Sequence, residues 1–119
     1  MKILVVDDSS TMRRIISNIL KSEGQEDIVE AGDGLEALAA LGANAGIQLI
    51  LTDWNMPNMN GLDFMVKVRE TDKATPIVMI TTEAEKQNVI TALKAGANNY
   101  VVKPFTPEII KAKLAPFLK

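Results

Sequence analysis

The sequence has 119 residues, 47% of them hydrophobic, and a net charge of −2 with both signs interspersed, which suits one compact domain and offers no basic surface for nucleic acid. It contains no Cys and no His, which excludes disulfides, thiolate or imidazole catalysis, and zinc held by sulfur or imidazole. Any site is therefore built from carboxylates, hydroxyls, amines and amides, a palette that suits hard cations bound through oxygen, Mg²⁺ above all.

The first apolar run, Ile3-Leu4-Val5-Val6, is far too short for a signal or membrane segment, so a cytoplasmic protein without membrane insertion is the default expectation. Its near-continuous apolarity is that of a strand buried on both faces. Met12, Ile15, Ile16, Ile19 and Leu20 then recur at helical spacing and make one apolar stripe. A weaker strand over 27–31 fits a sheet edge. Asp33 followed by Glu36 reads as a capping box opening a helix through Ala37, Leu38 and Leu41. Residues 47–51 and 77–80 are again strand-like apolar runs. A third helix covers about 62–69, after Pro57 and Gly61, and a fourth covers about 84–95, stopped by Gly96. A fifth strand lies at 100–102. The last helix opens with Thr106 as N-cap and Pro107 at its first position, and ends near Ala115 because Pro116 clashes with the preceding turn.

Strict β-α alternation implies a parallel sheet with right-handed crossovers, and five units are too few for a closed eight-fold barrel. The expectation is an α/β domain, a doubly wound open sheet with five strands and five helices over residues 1–119. In such sheets ligands bind beyond the carboxyl ends of the strands. Those ends carry Asp7-Asp8, Thr52-Asp53, Thr81-Thr82 and Lys103-Pro104, whereas the edge strand ends in Ala31-Gly32 and brings no functional group.

Asp7, Asp8 and Asp53 thus converge on one rim. At an effective dielectric near 20, two carboxylates about 4 Å apart repel by roughly 4 kcal/mol, so the cluster needs a cation, a shared proton or solvent. Mg²⁺ with retained waters fits. With Lys103 as an ammonium and Thr81 as a hydroxyl donor, the rim holds the parts that grip a transferring phosphoryl group, and one carboxylate is the candidate nucleophile. Residue chemistry leaves open which one. Each residue also has a plainer role: an Asp after a strand commonly caps the next helix, although Ser9 or Ser10 would cap the first one without repulsion; Lys103 would make a salt bridge; Thr81 or Thr82 would cap the fourth helix. Their joint arrangement on separate strand ends is what favours a site.

Val5-Val6-Asp7-Asp8, Asp53-Trp54-Asn55-Met56-Pro57 with Gly61, Thr81, and Lys103-Pro104-Phe105 resemble the response-regulator receiver domains of two-component signalling. Gly34 with Glu36-Ala37, and Ala95-Gly96-Ala97, also fall in place, so the resemblance spans essentially the whole chain. Trp54-Asn55 and Tyr100-Val101-Val102 bring it nearest to the single-domain chemotaxis branch. The resemblance implies the flavodoxin-like strand order 2-1-3-4-5, with Asp53 as phosphoacceptor from a chemotaxis-type histidine kinase. It implies Mg²⁺ on Asp8, Asp53 and the Asn55 carbonyl, with Asp7 acting through a metal-bound water, and Lys103 on the phosphoryl oxygen, preceding a cis proline bond. Thr81 and Tyr100 would form the switch, Thr81 turning toward the phosphoryl group and Tyr100 moving from an exposed to a buried rotamer. The output face would lie on helix 4, strand 5 and helix 5, with Val89, Leu93, Tyr100, Val102 and Lys113 nominated. It would meet a downstream protein such as the flagellar motor switch, the chain acting as a monomeric signalling switch without an effector domain and not as an enzyme on other substrates.

Three features depart from or tune that pattern. Thr82 stands where chemotaxis regulators often carry Ala; Asn55 and Glu83 occupy positions that tune water access for self-dephosphorylation; Pro116 shortens the last helix. The rival readings are weaker. A flavin carrier wants a hydroxyl-rich phosphate loop where Asp7-Asp8 stands, a haloacid-dehalogenase-type phosphatase wants an acid where Ser9 and Ser10 stand, and a dinucleotide enzyme wants a glycine fingerprint after the first strand. A phosphorylation-independent binding module is the remaining alternative, opposed by intact Asp53, Lys103 and Thr81.

Overall fold

The computed structural model describes residues 1–118. Among them the order is β1 (Lys2–Val6), α1 (Ser10–Ser22), β2 (Asp27–Ala31), α2 (Gly34–Ala43), β3 (Ile47–Thr52), α3 (Gly61–Arg69), β4 (Ile77–Thr81), α4 (Lys86–Ala95), β5 (Asn99–Val102) and α5 (Pro107–Leu114). The strands form one parallel sheet in the order β2-β1-β3-β4-β5. The α/β alternation and the strand order agree with expectation. No helix among the described residues is long and apolar enough to cross a membrane.

The apolar strand runs are explained by two cores. Ile3, Val5, Leu49, Leu51, Val78, Ile80 and Val101 face α1 and α5. Their chain neighbours Leu4, Val6, Ile50, Ile77, Met79 and Tyr100 face α2, α3 and α4. A strand covered on both sides keeps its period of two but has no polar side left to show it. Phe64 of α3 is fully buried in the second core, and its truncation to Ala costs about 4 kcal/mol.

Caps set the helix starts. Ser9, Asp33, Asn60 and Thr106 each accept a main-chain N–H three residues on. Two local readings change. In place of the reciprocal bond expected of the capping box, Glu36 Oε1 accepts the N–H of Gly32 at 3.0 Å, one residue before the cap itself. Helix α4 begins at Lys86 instead of near residue 84; its cap position is Glu85, which makes no side-chain cap bond, so neither Thr81 nor Thr82 caps it. The chain before it is held by the hydrogen bonds of Glu83 described below, two of them local and one from Tyr100 of β5.

Candidate functional site

Parallel hydrogen bonding carries on past the strand ends and fixes the backbone of the rim. The Asp7 N–H donates to the Ala31 carbonyl at 3.1 Å, that of Asp53 to Val6 at 2.9 Å, and that of Lys103 to Thr81 at 2.8 Å. The residues after β1, β3 and β5 are therefore placed by the sheet and not by loose loops. The Lys103–Pro104 bond is cis.

The side chains meet as the rim reading requires. Lys103 Nζ lies 2.7 Å from Asp7 Oδ2 and 3.0 Å from Asp53 Oδ2. The remaining oxygens of these two carboxylates are also engaged: Asp7 Oδ1 accepts the Ser9 N–H at 2.9 Å and Asp53 Oδ1 accepts the Trp54 N–H at 2.7 Å. Asp7 and Asp53 are buried, while Asp8 is exposed and makes no hydrogen bond or ion pair among the described residues. Carboxylate oxygens of all three lie within 4.8 Å of one another. Three carboxylates facing one ammonium leave two negative charges, which a divalent oxygen-seeking cation neutralises; the donor set fits Mg²⁺.

Burial and pairing pull the charges in opposite directions. Burial pushes the Asp7 carboxyl above its usual range, against the bonds from Lys103 and Ser9. For Lys103 burial works to lower the ammonium, but the bonds from Asp7 and Asp53 outweigh it and hold the group charged, above its usual range.

Loops support this cluster. The Gly61 N–H donates to the Trp54 carbonyl at 2.8 Å, and a Cβ at Gly61 would collide with the Asp53 carbonyl, so α3 can start this close only on glycine. Asn58, at φ 65°, adopts the left-handed conformation that Asn tolerates. Its amide donates to Asp33 Oδ2 at 2.7 Å, and the Gly34 N–H donates to the Met59 carbonyl at 3.0 Å. Together these tie the loop carrying Asn55 to the start of α2. Asn55 itself is exposed.

Thr81 is fully buried at the end of β4, and its Oγ1 accepts the Glu83 N–H at 3.3 Å. The Glu83 carbonyl accepts the Tyr100 hydroxyl at 2.6 Å, and Glu83 Oε1 accepts the Asn88 amide at 3.3 Å. Thr81 and Tyr100 are thereby joined through one residue of the β4–α4 loop. The Tyr100 ring is buried here, the rotamer expected of the switched position; burial first, then the charges of Glu83 and Asp53, push its hydroxyl up to about 12. Of the nominated output face, Leu93, Val102 and Lys113 are exposed, whereas Val89 is half-buried against the core, as Tyr100 is buried in it. Thr82 is exposed and Pro116 follows the end of α5.

Sequence reasoning did not single out Arg13, Asp33 or Asn58 as supports of the rim. An arginine on an outer helix turn, an Asp before a helix and an Asn in a loop each have a commoner local role.

The response regulator receiver domain family model matches residues 3–115. The chemotaxis protein CheY1 of Helicobacter pylori is 62% identical over 116 residues, covering 96% of this chain and 94% of that protein. The chemotaxis protein CheY homolog of Campylobacter jejuni is 57% identical over 120 residues, covering 99% and 92%. Among solved structures, the CheX-CheY-BeF3-Mg complex from Borrelia burgdorferi superposes with a TM-score of 0.92 at 30% identity, covering 100% of this chain and 90% of that one.

Proposed function

Since the chain belongs to the response regulator receiver domain family, we propose that it is switched by a phosphoryl group carried on Asp53. It is a phosphorelay response regulator of the chemotaxis type, a signalling switch. The observation that supports a phosphoryl site is the single ammonium of Lys103 shared by Asp7 and Asp53, with the unengaged Asp8 beside them; the choice of Asp53 among the three follows from the family motif. Such a cluster tolerates the arrival of an anionic group only with more positive charge, and it is built on backbone that the sheet holds still. The site would hold Mg²⁺ on Asp8, Asp53 and the Asn55 carbonyl, with Asp7 contacting a metal-bound water. When bound, the ion neutralises the carboxylates and the phosphoryl oxygens between them.

In the transfer, an Asp53 carboxylate oxygen forms a bond to phosphorus while the phosphorus–nitrogen bond of a kinase phosphohistidine breaks. The imidazole leaves with the electron pair and takes up a proton. Lys103 keeps Asp7 and exchanges its Asp53 bond for a phosphoryl oxygen. Thr81 gives up the Glu83 N–H and donates its hydroxyl proton to another. Glu83 is then held to the sheet by the Tyr100 hydroxyl alone, whose ring is already buried, so the charge change at Asp53 reaches α4 and β5 through the β4–α4 loop. Hydrolysis of the acyl phosphate returns the carboxylate, at a rate set by water access past Asn55 and Glu83.

The phosphodonor would be a chemotaxis-type histidine kinase. The exposed Leu93, Val102 and Lys113, with Val89 and Tyr100 beneath them, would meet a downstream protein such as the flagellar motor switch. We read residues 1–119 as one receiver domain, acting as a monomer in the cytoplasm. No observation favours a phosphorylation-independent binding module. The test is incubation with Mg²⁺ and a small acyl-phosphate donor followed by intact mass measurement. One added, hydroxylamine-labile phosphoryl group, absent in Asp53→Asn, is expected; no adduct with donor and metal in excess sinks the reading.

A further inference from the structure

We propose that Arg13 is a positioning residue for the acidic turn after β1: it orients Asp8 toward the cation by gripping the main chain of Asp7. The inference rests on the Mg²⁺ site proposed above.

Asp8 is the one carboxylate of the cluster whose direction no side-chain bond fixes. Its aim depends on the peptide plane that joins it to Asp7, which is rigid. One group holds that plane from its carbonyl side: Arg13 Nη1 donates to the Asp7 main-chain oxygen at 2.5 Å. Arg13 is itself well placed for this. It lies on the first turn of α1, its own N–H donates to the Ser9 carbonyl at 3.0 Å, and its side chain is mostly buried, 20% exposed. Its Nε is in turn held by Glu30 Oε1 of β2 at 2.9 Å.

The fork of a guanidinium is needed for both bonds at once, one to a carbonyl and one to a carboxylate at fixed mutual angle. Glu30 also cancels the arginine's charge, so the grip adds little net positive charge beside the acids. This gives the edge strand, whose carboxyl end carries no functional group, a share in the site.

Geometry and charge predict opposite signs when the arginine is removed. A positive charge near an acidic cluster opposes Mg²⁺, so deleting it tightens binding if charge alone matters. Loss of orientation weakens binding, as removal of outer-shell partners of metal ligands does.

The experiment is calorimetric titration of Mg²⁺ into the full chain as wild type, Arg13→Met and Arg13→Lys. Binding about tenfold weaker in both variants is expected, with the maximal rate of phosphorylation at saturating Mg²⁺ close to that of the wild type. Arg13→Lys keeps the charge and loses the fork, so it decides the matter if Arg13→Met does not fold. Equal or tighter binding in the folded variants overturns the inference. A wild-type chain that binds no Mg²⁺ overturns the site proposal, and this inference with it.

Discussion

Two partly buried cations stand at opposite ends of the same sheet and behave differently. At the amino end Arg69 donates to the carbonyls of Asp72, Thr75 and Gly96 and to Asn98 Oδ1, at 2.8 to 3.2 Å. Neutral acceptors take its donors, so the end of α3 is bolted to the turn after α4 and nothing there calls for a further ion. A Cβ at Gly96 would meet the Arg69 side chain at 2.7 Å, so the bolt also dictates its neighbour. At the carboxyl end Lys103 faces carboxylates that outnumber it, with Asp8 open to solvent. Similar burial of a cation yields a staple where the partners are neutral and complete, and an exchangeable site where charge is left over. Function follows the unbalanced end.

Substituting each cation is the strongest way to break that comparison. Lys103→Met is expected to slow phosphorylation by an acyl-phosphate donor by about 100-fold or more, the loss typical of one donor to developing charge. It should also lower the unfolding midpoint in the absence of metal, because Asp7 and Asp53 are left facing each other, and Mg²⁺ should restore much of that loss. A midpoint indifferent to Mg²⁺ would count against a cation site at this rim. Arg69→Met should cost about 3 kcal/mol through its stranded carbonyls, lowering the midpoint by roughly 10 °C. Mg²⁺ should not rescue it beyond the shift it gives the wild type, and phosphorylation of the folded protein should change less than threefold, as measured by parallel thermal and mass assays.

Smaller effects sharpen the same contrast. Burial raises the Asp7 carboxyl, so its ionised form lowers stability at neutral pH, and stability grows as pH falls through the raised value. Asp7→Asn should therefore stabilise the metal-free fold, by about 1 kcal/mol, while weakening Mg²⁺ binding. Destabilisation of the metal-free protein would contradict the assigned burial cost. Tyr100 gives the smallest signal and the opposite pH arm. It ionises near 12 in the fold against an ordinary 10.0. Its contribution is complete below pH 10 and is lost as pH rises toward and through the folded value. The chain has one tyrosine, so ultraviolet titration reads it alone; ionisation near 10 in the folded protein would mean the hydroxyl is not buried beside the charges of Glu83 and Asp53.

Much of this was legible in the residues. The four apolar runs, the caps at Asp33 and Thr106 and the polar strand ends all carry local signals, and each lies where expected. Strand order came only with the family resemblance, because the two-sided burial of β1, β3 and β4 hides which neighbour each strand pairs with. The start of α4 departs from the sequence pattern because Ala84 and Glu85 suit a helix, while Glu83 is pulled out of helical pairing by Thr81 and Tyr100. Arg13 and Arg69 carry no sequence signal as anchors: their acceptors are mostly main-chain carbonyls, some a few residues away and one in the turn after α4, which leave no mark on composition or period.

The central claim is that Asp53, and neither Asp7 nor Asp8, forms the bond to phosphorus. Borohydride reduces an aspartyl phosphate to homoserine, so trapping after acyl-phosphate treatment with Mg²⁺, followed by peptide sequencing, reads the position of attack. Conversion at position 53 alone is the predicted result. Conversion at position 7 or 8, or an added phosphoryl mass with position 53 intact, would contradict the account.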